Sequence, residues 1–219
     1  MDPKVMRDQA IKDAKAALIL DAARKVFSDR EYSETRLEDI AAVSGFSKAS
    51  LYNYYSDKEE IFVTLAIREF DSLLYKLKNL NDQKEPLIMI LENIVRTILL
   101  FFGENYAFLL AIANFRISCQ NNVENSDPKI RSLVQRFKQK YAELLEFQAQ
   151  ILRNAKKKGE ILSQVPENVL SNYILSLIRG VLFDWKVKGS IGDTDREIRQ
   201  LMVFLENGLN IRKNEFNGR

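Results

Sequence analysis

Thr35, Arg36, Ser47, Lys48, Ala49, Ser50, Tyr52, Asn53, Tyr54 and Lys58 gather cations, hydroxyls, an amide, a methyl group and phenols into one short stretch of the chain. That mixture suits non-covalent recognition of nucleic acid. Lysine and arginine pair with phosphates, hydroxyls and amides bond phosphate oxygens and base edges, and a methyl or phenol meets a thymine methyl. It does not suit catalysis. The chain has no histidine, which removes the commonest general base, the commonest metal ligand and every Ser-His-Asp or Cys-His arrangement. No metal-ligand cluster and no glycine-rich phosphate loop is visible, so no catalytic residue, metal site or cofactor is expected.

The elements that must position these side chains follow from caps and spacing. Thr35 with Glu38 reads as a capping box, and Leu37, Ile40 and Ala41 form the buried stripe of a helix ending near Ser44. Gly45 stands where a left-handed terminal residue is wanted. Ser47 can cap a second helix from Lys48 to about Tyr55, with Leu51 and Tyr55 inward and Lys48, Ala49, Tyr52 and Asn53 outward. Ser56 and Glu59 suggest a second box, so a third helix starts at once with Lys58 in its first turn. Two short helices joined by a tight turn make a helix-turn-helix, whose second helix enters the DNA major groove. Tyr54 has two readings, core packing and phosphate contact.

The run GFSKASLYNYYSDKEEIF, within a similarity covering roughly Ile19 to Phe62, resembles the DNA-binding end of the TetR family of bacterial transcriptional regulators. The family's usual run is Gly-Val-Ser-Lys-Gly-Thr-Leu-Tyr-X-Tyr-Phe-X-X-Lys-Glu-X-Leu. Ala49 and Ser50 replace its common Gly-Thr, and Tyr55 replaces its Phe, departures that touch which bases are read. The resemblance implies an all-α chain of about nine helices that binds a palindromic double-stranded operator as a homodimer. It also implies a repressor released by a small hydrophobic or amphipathic effector. Control by a protein partner, activation instead of repression, and an all-α enzyme are the rival readings.

Composition agrees with long helices: only 8 Gly and 4 Pro stand among 46% hydrophobic residues. A single cysteine, Cys119, excludes an intrachain disulfide and points to a reducing compartment. No apolar run of about 18 residues and no signal-peptide core appears, so a cytoplasmic protein without membrane attachment is expected. Net charge is +3 overall, yet residues 1–60 hold 10 Lys and Arg against 12 Asp and Glu, a balance of −2. DNA binding must therefore depend on where charges stand rather than on their number.

The remaining chain divides at its breaks. A helix over Ile11 to Phe27 backs the helix-turn-helix, and the segment before Lys15 is expected to fray. The helix from Asp57 to about Leu80, about 24 residues and about 36 Å long, joins a domain at 1–60 to a ligand-binding and dimerisation domain at 61–219. There, helices are expected over Pro86 to Phe102, stopped by Gly103, over Tyr106 to Arg116, from Pro128 to an end at Lys156-Lys-Lys-Gly159 with Ile130, Leu133, Phe137, Tyr141, Leu144, Gln148, Ile151 and Ala155 on one stripe, and over Pro166 to Lys188 and Thr194 to Ile211. Phe102, Tyr106, Phe115, Arg116, Tyr141 and Arg179 are candidate pocket residues. Tyr173, Leu177, Val181, Trp185, Leu201 and Leu205 lie on the two last, broadly apolar helices and are candidates for a homodimer interface.

Overall fold

The computed structural model describes residues 2–80, 85–103 and 128–211, and the regular elements among them are all helices. They are α1 (Pro3–Asp29), α2 (Leu37–Ser44), α3 (Lys48–Tyr52), α4 (Lys58–Leu80), α5 (Leu87–Gly103), α6 (Pro128–Lys157), α7 (Glu167–Lys188) and α8 (Thr194–Leu209). The all-α class expected from the sequence is what the chain adopts. Tyr106, Phe115, Arg116 and Cys119, with the helix expected over residues 106–116, lie outside the described residues. Two compact units form: residues up to 70 with 128–138, and residues 71–103 with 139–211, so α4 and α6 contribute to both.

In the first unit, α1 begins earlier than its apolar spacing suggests. Asp2 caps it by accepting the Lys4 N–H at 2.9 Å, and Pro3 fills the first helical position, where its missing N–H costs nothing. Only its C-terminal half is buried, through Ile19, Leu20, Ala22, Ala23, Val26 and Phe27, while Ile11 and Leu18 are exposed. Phe27, Tyr32 and Phe62 then meet as an aromatic cluster, with centroids 5.1 Å apart for Phe27–Phe62 and 4.7 Å for Tyr32–Phe62. Such pairs add about 0.5–1.5 kcal/mol each beyond burial. The cluster joins α1, the turn after it and α4 behind the short helices.

In the second unit α5 packs against α7 and α8. Gly103, expected as a helix stop, is the last residue of α5, and its missing side chain admits the Trp185 ring, which a Cβ there would meet at 3.1 Å. Trp185 is 2% exposed. Arg96 on α5 donates to Asp195 on α8 at 2.6 Å and to Glu92 at 3.1 Å. Of the expected stripe of α6, Ile130, Leu133, Phe137, Leu144, Gln148, Ile151 and Ala155 are buried, and Tyr141 is half-buried. Among the described residues no helix is long and apolar enough to cross a membrane.

Candidate nucleic-acid interface

The start of α2 is shifted one residue from the expected capping box. Arg36 is the N-cap, and its backbone N–H donates to the Asp39 carboxylate at 2.8 Å. Thr35 is instead 1% exposed, with its hydroxyl donating to the Glu31 carbonyl at 3.1 Å. Its side chain is thus withdrawn from the surface, while Arg36 stays exposed. With Asp39 closing the helix end, Glu38 is released toward α3. Gly45 ends α2 at φ 72°, a left-handed conformation that a side chain would strain although no atom crowds the position.

Ser47 caps α3 as expected, accepting the Ser50 N–H at 3.1 Å, and the two hydroxyls lie 2.8 Å apart. Leu51 is fully buried and Tyr55 is 6% exposed, its hydroxyl donating to the Ala16 carbonyl at 3.4 Å. Burial pushes the Tyr55 phenol up to about 12. These two anchors turn Lys48, Ala49, Tyr52 and Asn53 outward, all exposed, with Tyr52 at 51%. The helix is shorter than expected. It ends at Tyr52, and the N–H groups of Tyr54 and Tyr55 turn back to the Leu51 carbonyl. Tyr54 is half-buried, its ring 6.3 Å from that of Phe46.

Lys48 and Lys58, the two expected DNA-facing lysines, have different surroundings. The Lys48 ammonium donates to the Glu38 carboxylate at 2.5 Å, and that hydrogen bond holds the carboxyl of Glu38 below its ordinary value. Lys58 turns inward. It donates to the carbonyls of Tyr32 at 2.7 Å and Thr35 at 2.8 Å and sits 4.3 Å above the Tyr32 ring, so it clamps the turn before α2. Burial lowers its pKa from the ordinary lysine value. The Ser56–Glu59 box expected for α4 is replaced as well. Asp57 accepts the Glu60 N–H at 2.7 Å, and Glu60 reaches back to the Ser56 N–H and hydroxyl, both at 2.8 Å.

The candidate pocket and interface residues of the second unit sort differently from expectation. Tyr141 and Arg179 do meet, the phenol oxygen accepting from the guanidinium at 3.3 Å, but Arg179 is exposed and also donates to Ser176 at 2.8 Å. Phe102 is buried against Phe101 at 5.1 Å. A groove of about 450 Å³ opens elsewhere, with Leu87, Ile90, Phe147, Ile151 and Ala155 as its apolar lining and Lys157 and Lys158 among its polar residues. Sequence reading missed it because the start of α5 and the end of α6 are brought together only by packing. Trp185, Leu201 and Leu205 face the core of their own protomer, being 2%, 8% and 4% exposed. Leu177 and Val181 are half-buried, and Tyr173 is 60% exposed. The outward apolar residues that sequence reading missed are Phe183 and Val187 on α7 and Val203 and Phe204 on α8.

A capped two-helix corner with an exposed polar face on its second helix defines a DNA-binding protein of the helix-turn-helix class. Residues 19–65 match the family model described as bacterial regulatory proteins, tetR family. Residues 19–65 thus carry the DNA-binding region described for that family, and the full-length similarities are to transcriptional regulators. It is 25% identical over 193 residues to the uncharacterized HTH-type transcriptional regulator YhgD of Bacillus subtilis, covering 88% of this chain and 95% of that one. It is 26% identical over 170 residues to the HTH-type transcriptional repressor BepR of Brucella suis, covering 76% and 78%. The fold is shared with the transcriptional regulator FadR from Bacillus subtilis, solved in complex with stearoyl-CoA. That match has a TM-score of 0.65 at 19% identity and covers 88% of this chain and 98% of the other.

Proposed function

We propose that the chain is a cytoplasmic homodimeric repressor that binds a near-palindromic operator and is released by a hydrophobic or amphipathic small molecule. Residues 1–60 are the DNA-binding domain in this reading, and 61–219 the ligand-binding and dimerisation domain. The observation that carries it is the outward face of α3, where Lys48, Ala49, Tyr52 and Asn53 stand exposed on the buried anchors Leu51 and Tyr55. Large apolar side chains left outside, Tyr173, Phe183 and Val187 on α7 with Val203 and Phe204 on α8, support pairing with a second copy. A twofold dimer sets its half-sites one helical turn apart, about 34–36 Å, or a multiple of that. The apolar groove beside α5 and α6, and the acyl-CoA named with FadR, support a lipophilic effector.

The test is retardation of DNA flanking the protein's own gene, with and without a long-chain acyl-CoA, together with sedimentation. Binding of a near-palindrome by a species of roughly twice 25.4 kDa, weakened by the acyl-CoA, is the expected result. A monomer that binds specifically would overturn the dimer, and an acyl-CoA that stabilises the protein without moving operator affinity would overturn release by this effector.

A further inference from the structure

Lys48 is the only charged residue of α3, and it is engaged by a carboxylate from the neighbouring helix. The Glu38 and Lys48 side chains are 57% and 48% exposed, so the pair stands at the surface beside Ala49 and Tyr52 rather than buried as a structural link. Binding to the DNA backbone gains its strength from cations that neutralise phosphates and release counterions. A lysine already neutralised by a carboxylate contributes little to that gain, and the carboxylate repels the phosphate beside it. The same pair fits a base edge. A C·G pair presents in the major groove a cytosine amino donor next to the guanine O6 and N7 acceptors. Donor and acceptor across that base pair lie about 2.9 Å apart, close to the 2.5 Å between Lys48 Nζ and Glu38 Oε1. The carboxylate can accept from cytosine while the ammonium reaches both guanine acceptors. On A·T the amino donor is flanked by one acceptor on each side, so one ammonium reaches only one of them, and the thymine methyl adds an apolar group.

We infer that Glu38 is a specificity-determining residue, which with Lys48 forms a neutral pair that reads one C·G base pair per half-site and keeps Lys48 off the phosphate backbone. This rests on the reading of α3 as the DNA-contacting helix and adds to it a residue from α2.

The experiment uses full-length protein carrying no change, E38Q, E38D, K48A or E38Q/K48A. Each is titrated against the operator selected from random DNA by the unmodified protein, against that operator changed one base pair at a time, and against an unrelated duplex, over a series of salt concentrations. Glu38→Gln is expected to tighten binding to the unrelated duplex and steepen its salt dependence by about 0.9 for each recognition helix engaged, as one freed phosphate contact requires. Preference at one C·G position per half-site should fall roughly 5- to 150-fold, the discrimination of one direct base contact. Glu38→Asp keeps the charge at shorter reach, so it should preserve the shallow salt dependence while losing the base preference. In the K48A background the effect of E38Q on both quantities should be much smaller, since only the carboxylate's own contribution is left to lose. Circular dichroism of every variant separates these effects from misfolding. An E38Q protein that loses affinity for all duplexes alike with its salt dependence unchanged overturns the proposal. So does an E38Q effect that persists undiminished in K48A, or a selected operator with no C·G requirement. If the unmodified protein selects no sequence at all, the DNA-contacting role of α3 fails, and the proposal with it.

Discussion

Glu60→Gln should lower the melting temperature at neutral pH and leave it nearly unchanged in acid. Glu60 is 5% exposed, and its carboxylate collects the Ser56 N–H and hydroxyl at 2.8 Å and the Lys129 ammonium at 2.7 Å. Hydrogen bonds to a charged group contribute about 1.5–3 kcal/mol each. The full sum overstates the loss, because Ser56 is exposed and the Lys129 side chain is 57% exposed, so both regain water when the carboxylate is neutralised. A total of about 2–3 kcal/mol remains, which for a chain of this size corresponds to about 4–12 °C. The pH dependence follows from the carboxyl itself. Burial pushes its pKa up, but the hydrogen bonds from Lys129 and Ser56 outweigh burial and hold it below the ordinary 4.5. A depressed acid stabilises the fold fully above its unfolded pKa, and that contribution is lost as pH falls through the lower folded value. The gap between the unmodified protein and E60Q should therefore be constant at neutral pH and close as pH drops below 4.5. Thermal melts followed by circular dichroism from neutral pH downward measure it. A gap that stays the same down to strong acid, or one under a degree at neutral pH, would refute the reasoning. Lys129→Met, removing one of the two solvated partners, should cost less than E60Q, and the double variant should fall short of the sum.

Three further outcomes are expected. Lys58→Met should cost about 2–4 kcal/mol by urea titration, since it removes two charge-assisted bonds to the Tyr32 and Thr35 carbonyls; a lysine acting only on phosphate would leave the midpoint alone. Phe204→Lys, at a side chain 61% exposed, should shift sedimentation toward 25.4 kDa without loss of helicity, whereas Leu205→Ala, 4% exposed, should destabilise the protomer itself by about 2–5 kcal/mol. Gly192→Ala would place a Cβ 2.8 Å from the buried Trp185 Nε1, so the indole must move; a loss of about 1–3 kcal/mol should accompany a change in the fluorescence of the chain's single tryptophan.

Features decided within a turn or two of chain were legible from residue order. The left-handed Gly45, the Ser47 cap and the inward Leu51 and Tyr55 follow from spacing alone, because each depends on backbone no more than about four residues away. The buried stripe of α6 was legible for the same reason. Tertiary structure decided between local alternatives of equal merit. Glu38 and Asp39 are both acids in the first turn of α2, and Asp39 closes the helix end while Glu38 pairs with Lys48, ten residues further on. Lys58 reads as a surface cation until the carbonyls of Tyr32 and Thr35 are brought beneath it. The same holds for the apolar faces of α7 and α8. A side chain's hydrophobicity is the same whether it meets its own core or a second copy. Only packing could therefore send Trp185, Leu201 and Leu205 inward and leave Tyr173 and Phe204 outside.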